Sequence, residues 1–306
     1  MTGIPRLARH RPARLVTLTI AALGFGWCNA ALSQPKSPRS TAPVTAEATP
    51  ERDRASLIAA LQKRFPGIPA DEWSHGGASF APGVSVIPLG GENATNVNDI
   101  LSIGKKAWER KFRDGRSLAA CFPNGGQRIA ATYPQVDAKT NLVVTLEAAI
   151  NACLQLHGEP PLPVDDSLTM GAVSAYLRSL SVGQKLNVRV SGPSAAAQYA
   201  AGRGWFSKRM GDQDLACASC HVLQAGQVRE ENGRSVGFSP AVGQVLAWPR
   251  VEPGGKVRML HHQFQRCMDR AGAVPFEFGS TELRQLEYFL AAVSTGLTMR
   301  APTATR

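Results

Sequence analysis

The clearest hydrophobic pattern lies near the C-terminus, where Leu283, Leu286, Phe289, Leu290 and Val293 recur at helical spacing. That spacing predicts a helix with a single buried face, and Ser280 followed by Glu282 supplies its start signal. A matching set in mid-chain, Val173, Tyr176, Leu177 and Leu180, predicts a second helix of the same kind. Leu57 to Phe65 forms one further short amphipathic stretch. Strand signals are scarce, so the pattern points to an all-α fold. At the other end, Leu15 to Trp27 is a short apolar run, preceded by Arg6, Arg9, Arg11 and Arg14 and followed by Ala30, Ala31 and Ser33. This order predicts a secretory signal peptide over residues 1–33, and the run is too short to serve as a membrane anchor. Residues 34–95 read as a flexible leader and N-terminal extension. Ser37 to Arg54 is rich in Pro, Ser, Thr and Ala, without a periodic face. The Gly- and Pro-rich chain after Phe65 either wraps the first domain or offers a surface to a partner.

An internal repeat organises the remainder. Leu146 precedes Cys153 by seven residues, as Leu260 precedes Cys267. Upstream, Tyr133-Pro134-Gln-Val136 matches Trp248-Pro249-Arg-Val251, with Pro-to-Cys spacings of 19 and 18. Downstream, Tyr176 to Gly183 matches Phe289 to Gly296, with Cys-to-Gly spacings of 30 and 29. Gly104-Lys-Lys-Ala-Trp108 precedes Leu118-Ala-Ala-Cys121 much as Gly202-Arg-Gly-Trp-Phe206 precedes Leu215-Ala-Cys217. Each copy reads as helix, cysteine-bearing turn, irregular loop, short helix and closing amphipathic helix. The copies span residues 96–190 and 191–300.

The chemistry concentrates at Cys217-Ala218-Ser219-Cys220-His221. Two thiols one helical turn apart can add to the two vinyl groups of one porphyrin, and the adjoining imidazole then reaches the iron. A thioredoxin-like pair has no need of the histidine, and zinc would want a second C-x-x-C, which the chain lacks. One covalently bound haem c is therefore expected in the second copy. Cys121-Phe-Pro-Asn-Gly125 lacks the second thiol and the imidazole, so the first copy carries no haem. The expected architecture is two tandem cytochrome c-like domains, the first empty. Signal peptide and haem agree on export, and the expected compartment is the periplasm. The formal net charge of +11 suits anions or acidic partners. Its Lys and Arg are spread without an aromatic-interleaved cluster, which argues against nucleic acid.

Of six cysteines, Cys28 leaves with the signal peptide and two belong to the haem. In an oxidising compartment Cys121 and Cys153 are expected to pair, two separate buried thiols being the alternative. Cys267 is left over, 46 residues beyond His221, where a cytochrome c of this size places its second axial ligand. Met259 and Met268, at 38 and 47 residues, and the pair His261-His262 are the competing ligands. That His pair reads as packing or solvent contact rather than a copper site.

From Gly202 to Gly296 the chain resembles SoxA, the haem subunit of the sulfur-oxidising SoxAX cytochrome. The resemblance rests on Leu215-Ala-Cys217-Ala-Ser-Cys220-His221, Ser239-Pro240-Ala-Val-Gly243-Gln244, Trp248-Pro249, Leu260 to Cys267, and Tyr288-x-Leu290. With the first copy it extends over about residues 95–298. It implies an L-cysteine S-thiosulfotransferase that joins thiosulfate oxidatively to a cysteine of the carrier protein SoxYZ. A SoxX-like haem subunit is the implied partner, and a small cytochrome c the electron acceptor. His221 and Cys267 become the axial ligands, Cys267 the catalytic sulfur, carried as a persulfide. One C-x-x-C-H marks the single-haem type. The family has an arginine about one turn before this cysteine, whereas His262 and Gln263 stand there here. Arg266 is preferred as the substrate cation, with Gln263 beside it and Arg258 and Arg270 nearby. An electron carrier with a Met or His ligand is the competing reading. Thiosulfate dehydrogenase, with two haems, fits the single motif less well.

Overall fold

The computed structural model describes residues 49–80, 92–166, 168–231, 234–252 and 254–304. The signal peptide expected over 1–33 lies outside them. Seven α-helices carry the described fold: α1 (Pro50–Arg64), α2 (Glu92–Glu109), α3 (Leu146–Leu156), α4 (Met170–Ser179), α5 (Gly192–Ser207), α6 (Leu260–Arg270) and α7 (Thr281–Val293). Short strands punctuate them. Strand β1 (Gln135–Val136) pairs antiparallel with β2 (Val143–Val144), and β3 (Val228–Glu231) with β4 (Arg234–Gly237). Strand β5 (Arg250–Val251) lies between antiparallel β6 (Val257–Arg258) and parallel β7 (Thr303–Ala304). The β3–β4 hairpin was not foreseen from the pattern.

The repeat is visible in the packing. Helix α2 crosses α4 where Gly104 meets the carbonyl of Ala172, and α5 crosses α7 where Gly202 meets the carbonyl of Gln285. Only a residue without Cβ allows backbones this close. Pro134 and Pro249 both follow cis peptide bonds, and β1–β2 and β5–β6 precede the 11-residue helices α3 and α6. Side-chain caps start the helices where the sequence suggests: Thr145 Oγ1 accepts from the Ala148 N–H (3.2 Å) and Ser280 Oγ from that of Leu283 (3.3 Å). One continuous apolar core includes Leu118, Ile150 and Leu177 of the first copy with Phe264, Phe289 and Leu290 of the second. A smaller cluster of Val97, Ile100, Ala172 and Ala175 with Val251 and Val257 adds a second seam between the copies.

Two expectations are corrected. Helix α7 is buried continuously from Leu286 to Val293, not along one face. The face expected to meet solvent is covered by the N-terminal segment, whose Arg54 Nη2 donates to the Ala292 carbonyl (2.7 Å). The leader therefore ends sooner than expected, because α1 already begins at Pro50, capped by Thr49 Oγ1 on the Arg52 N–H. Residues 50–80 pack chiefly on the second copy rather than the first. Asp53 accepts from Tyr199 Oη (2.7 Å) and pairs with Arg203 (2.9 Å) on α5. Trp73 is fully buried, and Asp71 Oδ1 accepts from the Thr298 N–H (3.0 Å).

Gly104→Ala and Gly202→Ala should each lose about 1–3 kcal/mol in chemical unfolding, since the new methyl meets unyielding backbone. Gly204→Ala, on α5 with open space around it, should gain roughly 0.5–1 kcal/mol. Equal effects at Gly202 and Gly204 would refute the close crossing. The Asp71 carboxyl is held below its ordinary 3.8, first by the Thr298 N–H and then by Lys185, against a smaller opposing effect of burial. A depressed acid stabilises above its unfolded value and loses that contribution as pH falls through its folded value. Protection of the Thr298 amide from hydrogen exchange should therefore decline below that ordinary value, and Asp71→Asn should abolish the pH dependence.

Candidate functional site

The cysteine-bearing turn is fixed before it begins. Met210 and Leu215 exchange backbone hydrogen bonds (2.9 and 3.1 Å), closing a loop that leans on the C-terminal end of α6. Gly211, at φ +73°, presses on the Ala271 carbonyl, the Gln213 N–H donates to that same carbonyl (3.2 Å), and Gln213 Nε2 donates to the Arg270 carbonyl (2.6 Å). The chain then turns into a helical segment that widens to a π-turn over Ser219–Leu223, with Ser219 Oγ accepting the Ala216 N–H (3.1 Å). Cys217 and Cys220 lie on this segment, and Cys267 lies on α6. All three are half-buried.

Cys217 and Cys220 each interact electrostatically with Cys267. The Cys217 thiol is pushed up to about 12, first by burial and then by the neighbouring Cys267. Cys267 is also raised, first by burial and to a smaller extent by Cys220; Gln263, Arg270 and Arg266 pull the other way. Gln263 Nε2 donates to Cys267 Sγ at 3.2 Å. Gln263 Oε1 in turn accepts from Arg258 Nη1 at 3.3 Å, and Arg258 pairs with Glu252. Arg266 is exposed on α6.

His221 is held from outside the motif. Its Nδ1 hydrogen-bonds the Ser239 carbonyl (2.7 Å), and its own carbonyl accepts from the Ala241 N–H (2.9 Å). An Nδ1–H donating to a carbonyl leaves the Nε2 lone pair for a metal. Burial lowers the His221 pKa, with the Ser239 contact opposing, which favours the neutral ring a ligand needs. Behind it, Arg64 caps the Val222 and Ala225 carbonyls (3.0 and 2.6 Å), while Leu57, Leu61, Pro240 and Val242 line the space beside the ring. Sequence reasoning missed Arg64, which no local signal marks, and gave Ser239 no role.

The competing ligands are engaged elsewhere. Met259 and Met268 are buried in the core. His261 is buried, accepts the Gly279 N–H at Nδ1 (3.1 Å) and has Nε2 3.1 Å from Glu287. His262 accepts the Met259 N–H (3.4 Å) and faces Phe278. Among the described residues, one group of three metal-type side chains converges within 4.8 Å: Cys121, Cys153 and His157. Cys121 and Cys153 are a disulfide (Cα–Cα 5.9 Å), so those sulfurs are not open to a metal. The second-copy side chains are more spread.

A family model described as SoxA/TsdA, cytochrome c domain, matches residues 103–186, within the first copy. Among similar proteins, the L-cysteine S-thiosulfotransferase subunit SoxA of Allochromatium vinosum is 35% identical over 271 residues, covering 86% of this chain and 92% of that protein. The subunit of the same name from Chlorobaculum tepidum is 36% identical over 203 residues, covering 66% and 69%. The crystal structure of SoxXA from P. pantotrophus superposes with a TM-score of 0.61 at 24% identity, over 69% of this chain and 79% of that one, which speaks to the fold alone. Fold and site thus define a cytochrome c-type chain, a class whose prosthetic group is haem c. Within that class, the chain belongs to the SoxA family of L-cysteine S-thiosulfotransferase subunits.

The disulfide closes a sequence separation of 32. Breaking it with Cys153→Ala, or with reductant, should cost about 3–4 kcal/mol by loop entropy, read as a lower unfolding midpoint. A Cys121→Ala/Cys153→Ala variant as stable as the unaltered protein would make the crosslink ornamental.

Proposed function

We propose that the chain is a periplasmic SoxA-type subunit that conjugates thiosulfate to a cysteine of a SoxYZ-like carrier protein, using a single haem c. Residues 96–190 and 191–300 act as tandem cytochrome c-like domains, the first without haem. Cys217 and Cys220 would hold the haem covalently, and His221 and Cys267 would bind its iron. A SoxX-like haem subunit is the partner, and a small cytochrome c removes the electrons. Among the described residues no helix is long and apolar enough to cross a membrane.

The overall reaction balances as thiosulfate plus the carrier thiol giving the thiol's S-thiosulfonate, one proton and two electrons. When bound, haem c supplies the one-electron acceptor through which those electrons leave. The chain's own residues do the rest. Cys267, on α6, presents the sulfur that exchanges with the incoming sulfur species. Thiosulfate is a dianion, and Arg266, with Arg270 one turn on, reduces its repulsion at this sulfur. Gln263 supplies a hydrogen bond at the same atom. The Ser239 carbonyl holds the His221 ring and its tautomer. The first copy, closed by its disulfide, acts as a rigid support through the shared core.

The observation that carries this reading is the position of Cys267: unpaired, half-buried and electrostatically coupled to Cys217 and Cys220, while Met259, Met268 and His261 are spent on packing. Electron paramagnetic resonance of the oxidised, haem-loaded protein should show a thiolate-ligated low-spin signal that Cys267→Ala abolishes. Thiosulfate-dependent reduction of cytochrome c should fall on the order of 10³-fold or more in the variant. A methionine-like spectrum unchanged by the substitution would leave an electron carrier instead. Arg266→Ala should raise KM for thiosulfate with kcat little changed, since a cation at the mouth of the site binds substrate and transition state alike.

A further inference from the structure

We propose that Arg258 is a positioning residue for the Cys267 sulfur, acting through Gln263 to fix which end of that amide faces Sγ. The inference rests on the reading of Cys267 as the haem ligand and reactive sulfur. Gln263 lies one turn before Cys267 on α6, within reach of it. The two ends of a primary amide are nearly the same size, so helix geometry does not choose between them. Arg258 does. A guanidinium has donors only, so the amide end it meets at 3.3 Å is Oε1, and the NH2 end is turned to Sγ at 3.2 Å.

The guanidinium is itself held in place. Arg258 is on β6, paired in register with Arg250 of β5, and Glu252 just beyond β5 grips it through a carboxylate. The connection between the two strands is held by the Glu252 N–H donating to the Lys256 carbonyl (2.7 Å). Both partners are mostly buried, with side-chain exposures of 23% and 26%. The ion pair is charge-matched, so its part at the sulfur is orientation rather than net charge. Arg266 and Arg270 differ, being exposed on α6.

A hydrogen bond donated to a ligating thiolate withdraws electron density from it and weakens its push toward the iron. The Glu252–Arg258–Gln263 chain therefore raises the reduction potential of the site and tempers the sulfur's basicity.

The test is a cycle on the haem-loaded full chain: Gln263→Met, Arg258→Met, and both together, read by redox titration and by the anisotropy of the low-spin resonance. Gln263→Met should shift the midpoint potential negative. Arg258→Met should shift it in the same direction by less, and should add nothing once Gln263 is Met. Arg258→Lys, also donor-only, should restore most of the shift if Arg258→Met folds poorly. Glu252→Gln combined with Arg258→Met keeps the net charge and should behave as Arg258→Met alone. An Arg258→Met effect that is absent, or that adds fully to Gln263→Met, overturns the relay. Absence of any thiolate signal in the unaltered protein overturns the ligand reading and the relay with it. A thiolate signal lost in Cys267→Ala, with a silent Arg258 series, overturns the relay alone.

Discussion

The lean of the Met210–Leu215 loop on the C-terminal end of α6 is the constraint from which the site follows. Cys217 and Cys267 are far apart in sequence, and no helix connects them. The cysteine-bearing turn is tied to α6 because Gly211 presses on the Ala271 carbonyl and Gln213 bonds to the last carbonyls of that helix. Those carbonyls are the groups a helix end leaves without partners. The loop satisfies them and is oriented by doing so. The rest of the second copy, from the α5–α7 crossing at Gly202 to the Ser239 contact of His221, keeps the two sides of this junction from drifting apart.

The first copy meets the same mechanical problem with covalent chemistry. Its helix pair crosses at Gly104 as the other crosses at Gly202, and Cys121 and Cys153 are joined as a disulfide. There the turn and the short helix are bonded to one another directly. A disulfide constrains the unfolded chain and needs no cofactor to be stable. In the second copy, Cys217 is raised strongly by burial, whereas Cys267 has an amide donor and two nearby guanidinium groups working against that rise.

Periodicity and repetition made the helices legible. Leu283, Leu286, Phe289 and Leu290 foretold α7. The Cys121–Cys153 disulfide was legible from the oxidising compartment that the signal peptide implies. What escaped has a common cause. Residues 50–80 are held by long-range polar contacts, such as Arg54 on the Ala292 carbonyl and Asp71 on the Thr298 N–H. Contacts of this kind leave no period in the chain, so the segment passed for a tether and α7 for a half-exposed helix. Ser239 is unreadable for the same reason, since its carbonyl does the work and any residue has one. Arg258 was visible as one of several cations near Cys267. Only geometry distinguishes the one that meets Gln263.

The polar groups around the two faces of the site are arranged by opposite logic. On the His221 side, the fixed elements are backbone carbonyls: Ser239 takes the ring N–H, and Arg64 gathers Val222 and Ala225. A carbonyl cannot titrate, so the acceptor that holds the ring N–H does not change with pH. On the Cys267 side, the fixed elements are side chains, with an ion pair behind an amide behind a sulfur. Hydrogen bonding of this kind leaves the sulfur's charge adjustable, since each link can lengthen without unfolding anything. The Ser239 contact thus survives any substitution that keeps its backbone in place, whereas the contact at the sulfur depends on the side chains of Glu252, Arg258 and Gln263.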